Sequence, residues 1–416
     1  MTACGLDFGT SNSTLGLASA TPELIALEGD DVTLPSAIFY ARDAAPLVGR
    51  AAIRAYVDGH DGRLMRSLKS VLGNPLINET TQVGRARVGF RQVIAHFIAV
   101  VKRRAEAASG KPITAVVHGR PVHFVDGDAE GDAKAETVLA EIAREAGFTD
   151  ISFQYEPIAA ALDYERQVNR EEIALIADIG GGTSDFSIVR LGPERRGRTE
   201  RGDDILANDG IRIGGTDFDR LLSLGTVMPL LGYRSAMKRA GLPVPSGYFH
   251  DLATWSTINR LYERGVMQQL GEVRREARHP EMIQRLIHVI DERGGHRLAI
   301  EVEAAKIALS DRAAADVPLG WIESGLEARV TRDTLITETA GLAAAIAGRI
   351  EACLAEAGLA AGDVDAVFLT GGSTRLAHVR KAILAALPEA RPVEGDTFGS
   401  VGMGLTIEAA NRYGTA

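Results

Sequence analysis

Short apolar runs alternate with stretches of helical periodicity over residues 1–170. The runs CGLDF, TLGLA, AIFYA, ITAVVHG and ISFQY have the length and composition of strands. Between the last two lies the helical stretch DAKAETVLAEIAREAG, which ends at Gly147, a residue type that commonly terminates helices. Strands and helices that alternate in this way predict an α/β lobe with a mixed sheet.

The same pattern begins again at residue 173, where IALIADIGGG is followed by the alternating run FSIVRLG. The sequence then predicts a helix over 333–357 that ends at Gly358, a strand AVFLT, a glycine loop, and a helix RLAHVRKAILAAL stopped by Pro388. A second α/β lobe is therefore expected. Lobe I is predicted over 1–170, with a peripheral subdomain over 36–111, and the segment 394–416 is expected to return to this lobe and close it. Lobe II is predicted over 171–393, with a mostly helical inserted subdomain over 219–319.

The composition agrees with two lobes and narrows the classes of partner. The chain has 416 residues, of which 45% are apolar and 24% charged, as in globular proteins that build more than one core. Its formal net charge of −9 disfavours general binding to nucleic acid or anionic lipid. The densest basic stretch is mixed with acidic residues and predicts only a solvated hairpin loop; it contains Arg195, Arg196, Arg198 and Arg201 beside Glu194, Glu200, Asp203 and Asp204.

The cysteine content and the N-terminal sequence bear on the expected cellular compartment. Cys4 and Cys353 are the two cysteines, far apart and without a companion ligand, so neither a disulfide framework nor a zinc site is expected. The N-terminus MTACGLDFG enters an apolar strand without the basic region of a signal peptide, and no run approaches the ~18 residues of a membrane span. We expect a cytoplasmic protein.

One local arrangement occurs twice in the chain. LDFGTSNST begins at residue 6 and ADIGGGTSDFS at residue 177, so that Asp7 and Asp178 stand 171 residues apart. Each stretch predicts a β-hairpin whose tip is rich in glycine and hydroxyl groups, and successive amides in such a tip bind anions. Neither continues into a helix, as a P-loop or a Rossmann turn does. Mg²⁺ prefers oxygen ligands and keeps several waters, which an aspartate beside phosphate-binding amides can hold. The paired aspartates therefore predict that both hairpins bind one Mg-nucleotide.

These two stretches resemble the phosphate loops of the actin-like ATPase superfamily, and FLTGGSTR at 368–375 resembles its adenosine motif. The motifs GGGT-x-D, GG-x-DFD, EP-x-AAA and GGSTR are similar to those of the DnaK-type chaperones of the heat-shock protein 70 family. The resemblance implies an α/β actin-like ATPase fold. Its two lobes would each carry a mixed sheet flanked by helices, with the nucleotide in the cleft between them and a helical insertion in lobe II.

The resemblance also implies a site for ATP or ADP with Mg²⁺. It gives catalytic roles to Lys69, Glu156, Asp178 and Asp7, and magnesium contacts, largely through water, to Asp7, Asp178, Glu156 and Asp185. It implies that the nucleotide is bound by Gly9, Thr10, Ser11, Asn12, Gly180, Gly181, Gly182, Thr183, Gly214, Gly215, Glu303, Lys306, Ser310, Gly371, Gly372, Ser373, Arg375 and Asp396. One departure concerns the base: the family usually has an adenine-stacking arginine where this chain has Ile307, and cation–π stacking is lost.

The expected activity is slow ATP hydrolysis in a chaperone-related nucleotide switch. DnaK-type chaperones continue into a peptide-binding domain, whereas this sequence reads NRYGTA at that point. An ATPase unit alone, with EGDTFGS near its end, resembles the YegD-like subgroup. The resemblance therefore does not imply peptide binding. The lobe II insertion is a candidate surface for a client or co-chaperone, or an elaborated cap. We expect a monomer that binds nucleotide but neither nucleic acid nor membrane. The alternatives are a filament-forming actin relative and a small-molecule kinase of the same superfold.

Overall fold

Strands and helices alternate through most of the chain in the computed structural model, which describes residues 2–42, 44–72, 75–83, 86–125, 128–239, 241–393 and 399–414. The strands up to residue 211 are β1 (Ala3–Phe8), β2 (Asn12–Leu17), β3 (Glu23–Leu24), β4 (Leu34–Pro35), β5 (Ala37–Ala41), β6 (Leu47–Val48), β7 (Gly62–Arg66), β8 (Thr80–Val83), β9 (Ala86–Gly89), β10 (Ala115–Arg120), β11 (Asp150–Tyr155), β12 (Glu172–Ile179), β13 (Ser184–Leu191) and β14 (Ile205–Ile211). The helices of this stretch are α1 (Arg50–Val57), α2 (Phe90–Ser109), α3 (Ala129–Glu145) and α4 (Glu156–Glu165).

The remainder is richer in helix. Its helices are α5 (Gly215–Thr226), α6 (Gly247–Ala253), α7 (Val266–Glu276), α8 (Pro280–Asp291), α9 (Gly295–Asp311), α10 (Arg332–Ala357), α11 (Ala377–Ala386) and α12 (Ser400–Tyr413). Its strands are β15 (Ala314–Pro318), β16 (Glu327–Thr331), β17 (Ala366–Thr370) and β18 (Arg391–Val393). No helix among the described residues is both long and apolar enough to cross a membrane.

Contacts divide the chain into two units. The first unit contains Met1–Gly210, Arg349–Thr374 and Leu384–Ala416, and the second contains Ile211–Gly348 and Arg375–Ile383. The second unit holds α5 to α9 and the β15–β16 hairpin, with a core that includes Phe218 and Leu222 of α5 and Leu298, Val302 and Leu309 of α9. The division into lobes and subdomains predicted from the sequence stays a prediction.

Two sheets of the first unit repeat one topology. The first sheet has the strand order β11-β10-β1-β2-β3, with β4 paired to β2, and the second has the order β18-β17-β12-β13-β14. In each, an antiparallel hairpin lies beside two parallel strands: β1 and β2 beside β10 and β11, and β12 and β13 beside β17 and β18. The repeat seen in the sequence is therefore a repeat of whole sheets.

The predicted elements match this architecture closely. AIFYA and AVFLT are β5 and β17 with the expected bounds, and the helix predicted over 333–357 is α10. The helix predicted from RLAHVRKAILAAL begins only at Ala377, because Gly372–Arg375 first forms a 3₁₀ turn. Local pattern identified the elements, whereas tertiary contacts set where this one begins.

The interpretation of the arginine-rich loop as a solvated hairpin is wrong for Arg201. Its side chain is 1% exposed, and it donates to both carboxylate oxygens of Glu165, at 2.9 and 3.0 Å, and to Asp204. Arg195 also pairs with Asp204, whereas Arg198 is exposed. Buried carboxylates at the end of α4 and in this loop require a buried cation, so charge compensation overrides the solvation that the mixed-charge pattern predicts.

Helix α12 packs against the first sheet and α4 at glycine contacts. A side chain on Gly404 would collide with the Ala159 backbone of α4, one on Gly5 with the α12 backbone, and one on Gly402 with Thr14 of β2. Leu405 and Ala409 of α12 complete the small core on this side of the sheet. Gly402 and Gly404 therefore permit the close packing of α12.

Replacing Gly404 with alanine is expected to destabilise the protein by about 2–3 kcal/mol, since the new methyl group would meet backbone, and overpacked sites relax at a cost of that order. Gly348→Ala in α10 is the matched control. A methyl group there meets open space, and alanine is the better helix former, so a stabilisation of up to about 1 kcal/mol is expected. Thermal and urea unfolding measure both. Equal stability of the two variants would contradict the close packing of α12.

Candidate functional site

The first hairpin presents a short tip next to a carboxylate. β1 ends at Phe8 and β2 begins at Asn12, and Asp7 lies opposite Thr14 in their antiparallel register. Ser36 braces the tip, because its amide donates to the carbonyl of Ser11 at 2.9 Å and its hydroxyl to the carbonyl of Gly9 at 2.6 Å. The predicted tip Gly9–Ser11 is thereby fixed in one conformation while its residues remain partly exposed.

The second hairpin has the same register. Asp178 lies opposite Asp185, just as Asp7 lies opposite Thr14, with the same separation along the chain. The amide of Gly180 donates to the carbonyl of Thr183 at 2.9 Å and closes the tip, and the Thr183 hydroxyl donates to the Asp185 carboxylate at 3.0 Å. Gly182 and Thr183 at the tip are exposed.

The two tips lie against each other within the first unit. A side chain on Gly181 would collide with the hydroxyl of Ser11. Glycine at this position therefore allows the tips to approach, and the amides of both hairpins can address one anion. The predicted convergence of the two phosphate loops is a feature of the structure.

The predicted adenosine motif approaches the second hairpin from β17. Gly371 has φ +79°, and a Cβ atom on it would lie 2.6 Å from Oδ1 of Asp178, so that this position favours glycine on two grounds. Gly372 begins the 3₁₀ turn that follows, and the Ser373 hydroxyl points to the carbonyl of Gly180 at 3.4 Å. The start of this motif thus lies beside the carboxylate of Asp178.

A buried ion pair joins Lys69 to Glu156. Lys69 lies in the 3₁₀ turn Leu68–Val71, and Glu156 is the first residue of α4, directly before Pro157. The Lys69 ammonium donates to Oε1 of Glu156, and the two side chains are 12% and 17% exposed. The sequence places these residues 87 positions apart, and the fold brings them together beside Asp7 and Asp178.

The electrostatics of this cluster shift three pKa values. Burial, with Glu156 and Asp178 nearby, raises the pKa of Asp7 to about 7. Burial, with Asp185 and Glu156 nearby, raises the pKa of Asp178 to about 6. Burial by itself lowers the pKa of Lys69, but Glu156, Asp7 and Asp178 together raise it, so the ammonium stays charged. Carboxylates outnumber the one cation, and the cluster has an excess of negative charge.

That excess is what a divalent cation would relieve. Asp7 and Asp178 are hard oxygen ligands, and their raised pKa values show that each carboxylate lacks full compensation. Among the described residues, no group of three or more His, Cys, Asp or Glu side chains is placed to hold a metal ion directly. As hard oxygen donors, the carboxylates of Asp7 and Asp178 fit a hydrated Mg²⁺, which they would contact through its waters.

One buried residue beside the site was missed by sequence reasoning. His118 of β10 is fully buried, and its Nδ1 lies 2.8 Å from the carbonyl of Gly119, while its Nε2 has no hydrogen-bond partner among the described residues. Burial lowers its pKa to about 4, so the ring is neutral. The only signal in the sequence was a histidine inside the apolar run ITAVVHG, which is equally typical of a core residue.

Most of the remaining predicted site residues belong to the second unit. Gly214 caps α5, and Gly215 is its first residue. Lys306 of α9 is 6% exposed, pairs with Asp219 at 2.9 Å and donates to the carbonyl of Gly215 at 3.0 Å. Glu303 and Ser310 are partly exposed on α9, Ile307 is 54% exposed, and Arg375 pairs with Asp311 at 3.1 Å. Asp396 lies outside the described residues.

Two sheets of one topology, each presenting a glycine hairpin next to a carboxylate, define the class of protein: an α/β protein with the actin-like ATPase fold. A family model described as Hsp70 protein matches residues 77–225 and 283–410, more than half of the chain. The chain belongs to the Hsp70 family. The expected fold class and family are confirmed.

The chain is similar to several curated relatives named "Chaperone protein DnaK". It is 27% identical to the protein of Thermotoga petrophila over 423 residues, which cover 99% of this chain and 59% of the relative. It is 28% identical to that of Halobacterium salinarum over 386 residues, which cover 91% of this chain and 51% of the relative. The chain therefore spans between about half and three-fifths of the relatives that it matches.

The raised pKa of Asp7 predicts a pH-dependent stability. Between the pKa of the unfolded chain, about 4, and about 7, the folded protein retains a proton that the unfolded chain has lost, so stability falls as pH rises through this range. Asp7→Asn removes this pH-dependent loss of stability, because asparagine does not titrate. Without Mg²⁺ and nucleotide, the variant is expected to be more stable than wild type by about 1–3 kcal/mol at pH 8, and the difference should shrink toward pH 4.

Thermal unfolding at a series of pH values in EDTA measures this difference. Asp30→Asn, at an exposed carboxylate, is the control and should follow wild type at every pH. A difference between Asp7→Asn and wild type that does not change with pH would show that the Asp7 carboxylate is not held in a protonated state.

Proposed function

We propose that this protein binds Mg-ATP and hydrolyses it slowly, as the ATPase unit of a nucleotide switch related to chaperones. The observation that carries the proposal is the buried Lys69–Glu156 pair, which lies beside Asp7 and Asp178 where the two glycine hairpins meet. Anion-binding tips, a charged lysine and paired carboxylates are the components that phosphoryl transfer to water requires, because catalysis of this reaction is mainly positioning and charge stabilisation.

In this proposal the hairpin tips hold the β- and γ-phosphates. Amides of Gly9–Ser11 and Gly181–Thr183 would donate to phosphate oxygens, helped by the hydroxyls of Thr10 and Ser11. Bound Mg²⁺ would neutralise phosphate charge, and Asp7, Asp178 and Asp185 would hold its waters. The γ-phosphate half of the site then needs only residues of the first unit.

Lys69 and Glu156 would then act on the water that attacks. The Lys69 ammonium would stabilise the charge of the transferring phosphoryl group, and the Glu156 carboxylate, already aligned by this ammonium, would accept a hydrogen bond from the water. Both side chains are mostly buried, which strengthens such interactions compared with bulk water. The surplus of carboxylates over cations also opposes the approach of a phosphate, and this supports a slow rather than a fast hydrolase.

Most of the residues that the resemblance assigns to the nucleoside belong to the second unit, and their role stays a proposal. Gly214 and Gly215 are buried, Glu303 and Ser310 are partly exposed, and Lys306 is already engaged by Asp219 and the carbonyl of Gly215. We therefore assign Lys306 an indirect role: it fixes α9 to the start of α5. Ile307, exposed on α9, would cover the base with an apolar surface and give weaker selectivity for adenine than an arginine would.

A chaperone-related role, with a client or co-chaperone as partner, rests on the relatives, which are named chaperone proteins. Cytoplasmic localisation, a monomeric state and the absence of nucleic-acid and membrane binding belong to the same proposal. The negative net charge supports the absence of binding to nucleic acid and anionic membranes.

Lys69→Ala is expected to lower the rate of ATP hydrolysis by about 100-fold or more, the usual cost of removing one charge-stabilising donor, while ATP still binds to the hairpin tips. The matched control is Lys102→Ala. Lys102 forms an equally buried pair with Glu106, with side chains 13% and 24% exposed, but lies in α2 away from the hairpins. Single-turnover release of phosphate and calorimetric titration with ATP measure the two quantities. An unchanged hydrolysis rate in Lys69→Ala would refute the assignment.

Removing Mg²⁺ with EDTA is expected to weaken ATP binding to wild type by at least about tenfold, since the phosphates and the carboxylate cluster then repel each other. Asp178→Asn should bind ATP with much less dependence on Mg²⁺. Asp150→Asn, at an exposed position at the start of β11, should behave as wild type. Titration calorimetry with and without the metal compares the three proteins. An Asp178→Asn variant as sensitive to Mg²⁺ as wild type would exclude Asp178 from the magnesium site.

A further inference from the structure

Arg120, the last residue of β10, has an unusually complete set of partners. Its side chain is 11% exposed and pairs with two carboxylates of α3, Asp132 at 2.7 Å and Glu136. It also donates to the carbonyls of Pro121 and Val122 at 3.1 and 3.2 Å. A guanidinium that makes four hydrogen bonds through all three of its nitrogens is held in one orientation, and it fixes the end of β10 to the start of α3.

The faces of the guanidinium are occupied as well. Its central carbon lies 4.9 Å from the centre of the Tyr155 ring and 5.4 Å from that of Phe124. Asp132 accepts from the amide of Phe124, so the same carboxylate holds both the cation and one of the rings. A lysine could keep the charge but could not stack on the rings and bind two carboxylates at once, because its ammonium is not planar.

Arg120 is directly connected to the proposed catalytic pair. It lies opposite Tyr155 in the parallel register of β10 and β11, and Tyr155 is the residue that caps α4 immediately before Glu156. In β10, Gly119 comes immediately before Arg120. A Cβ atom on Gly119 would lie 3.3 Å from Oε1 of Glu156. The carboxylate of Glu156 is therefore confined between the β10 backbone and Lys69.

We propose that Arg120 is a positioning residue for the Lys69–Glu156 pair. By stacking on Tyr155 and binding α3, it fixes the two strand ends between which the Glu156 carboxylate is held. Arg120 touches neither Lys69 nor the proposed phosphate site, so its effect passes through the backbone of Gly119 and Tyr155. The consequence for hydrolysis rests on the proposed function, but the consequence for the ion pair does not.

Two variants test the proposal: Arg120→Lys, which keeps the charge, and Tyr155→Leu, which removes the stacked ring. Both are expected to lower kcat for ATP by about three- to thirty-fold, the factor that corresponds to a cation–π contact, with little change in KM. Arg91→Lys is the matched control. Arg91 also binds two α3 carboxylates, Glu141 and Glu145, but lies on α2 and is more exposed.

A second measurement needs no nucleotide. Brief acetylation of the amino groups, followed by mass spectrometry, should show Lys69 modified about three- to thirty-fold faster in Arg120→Lys and Tyr155→Leu than in wild type, because a loosened pair exposes the amine. Lys102, in its own buried pair with Glu106, is the internal reference and should react at the same rate in every protein.

The outcomes separate the two proposals. If wild type hydrolyses no ATP but Lys69 reacts faster in both variants, the proposed function is wrong and the positioning role stands. If wild type hydrolyses ATP and both folded variants match it in kcat and in Lys69 acetylation, the positioning role is overturned. If Arg120→Lys does not fold, Tyr155→Leu alone decides by the same two measurements.

Discussion

Burial of charge where the two hairpins meet is the constraint on which the site depends. Burial raises the pKa values of Asp7 and Asp178, the nearby Glu156 carboxylate raises both further, and Lys69 is the cation that faces all three carboxylates. Removing an ion from water costs several kcal/mol, so this arrangement is tolerable only if each group is held by the surrounding fold. The surrounding strands and loops supply that support: β1 and β12 carry the aspartates, α4 carries Glu156, and a 3₁₀ turn carries Lys69.

Backbone contacts then give the charges their geometry. Gly181 and Gly371 let the second hairpin, the first hairpin and the loop after β17 come within contact distance of one another. On the other side of the first sheet, Gly5 and Gly404 let α12 pack against β1 and α4, which fixes the helix that begins with Glu156. The glycines act as spacers: each removes a side chain where two backbones must meet, and the cost in chain entropy is compensated by close packing.

Two arginines that are largely removed from solvent contact α4 and the residue that caps it at opposite ends of the helix. At its start, Arg120 stacks on Tyr155, and at its end Arg201 binds Glu165 with two hydrogen bonds. Neither arrangement could be predicted from local sequence, because a run of mixed charge is typical of solvated loops and an arginine after an apolar strand has no fixed partner. The same limit applies to Lys306, which the resemblance assigns to the nucleotide, whereas the fold buries it against Asp219.

The sequence by itself determined the repeated hairpins, the bounds of β5, β17 and α10, and the family, because each is encoded in spacing or spelling within a few tens of residues. Tertiary structure alone decided that Lys69 meets Glu156 across 87 positions, that Ser11 lies against Gly181, and that Arg120 and Arg201 are buried. The physical reason is that charge compensation and close packing depend on which strands become neighbours, and neighbours distant in sequence leave no local pattern.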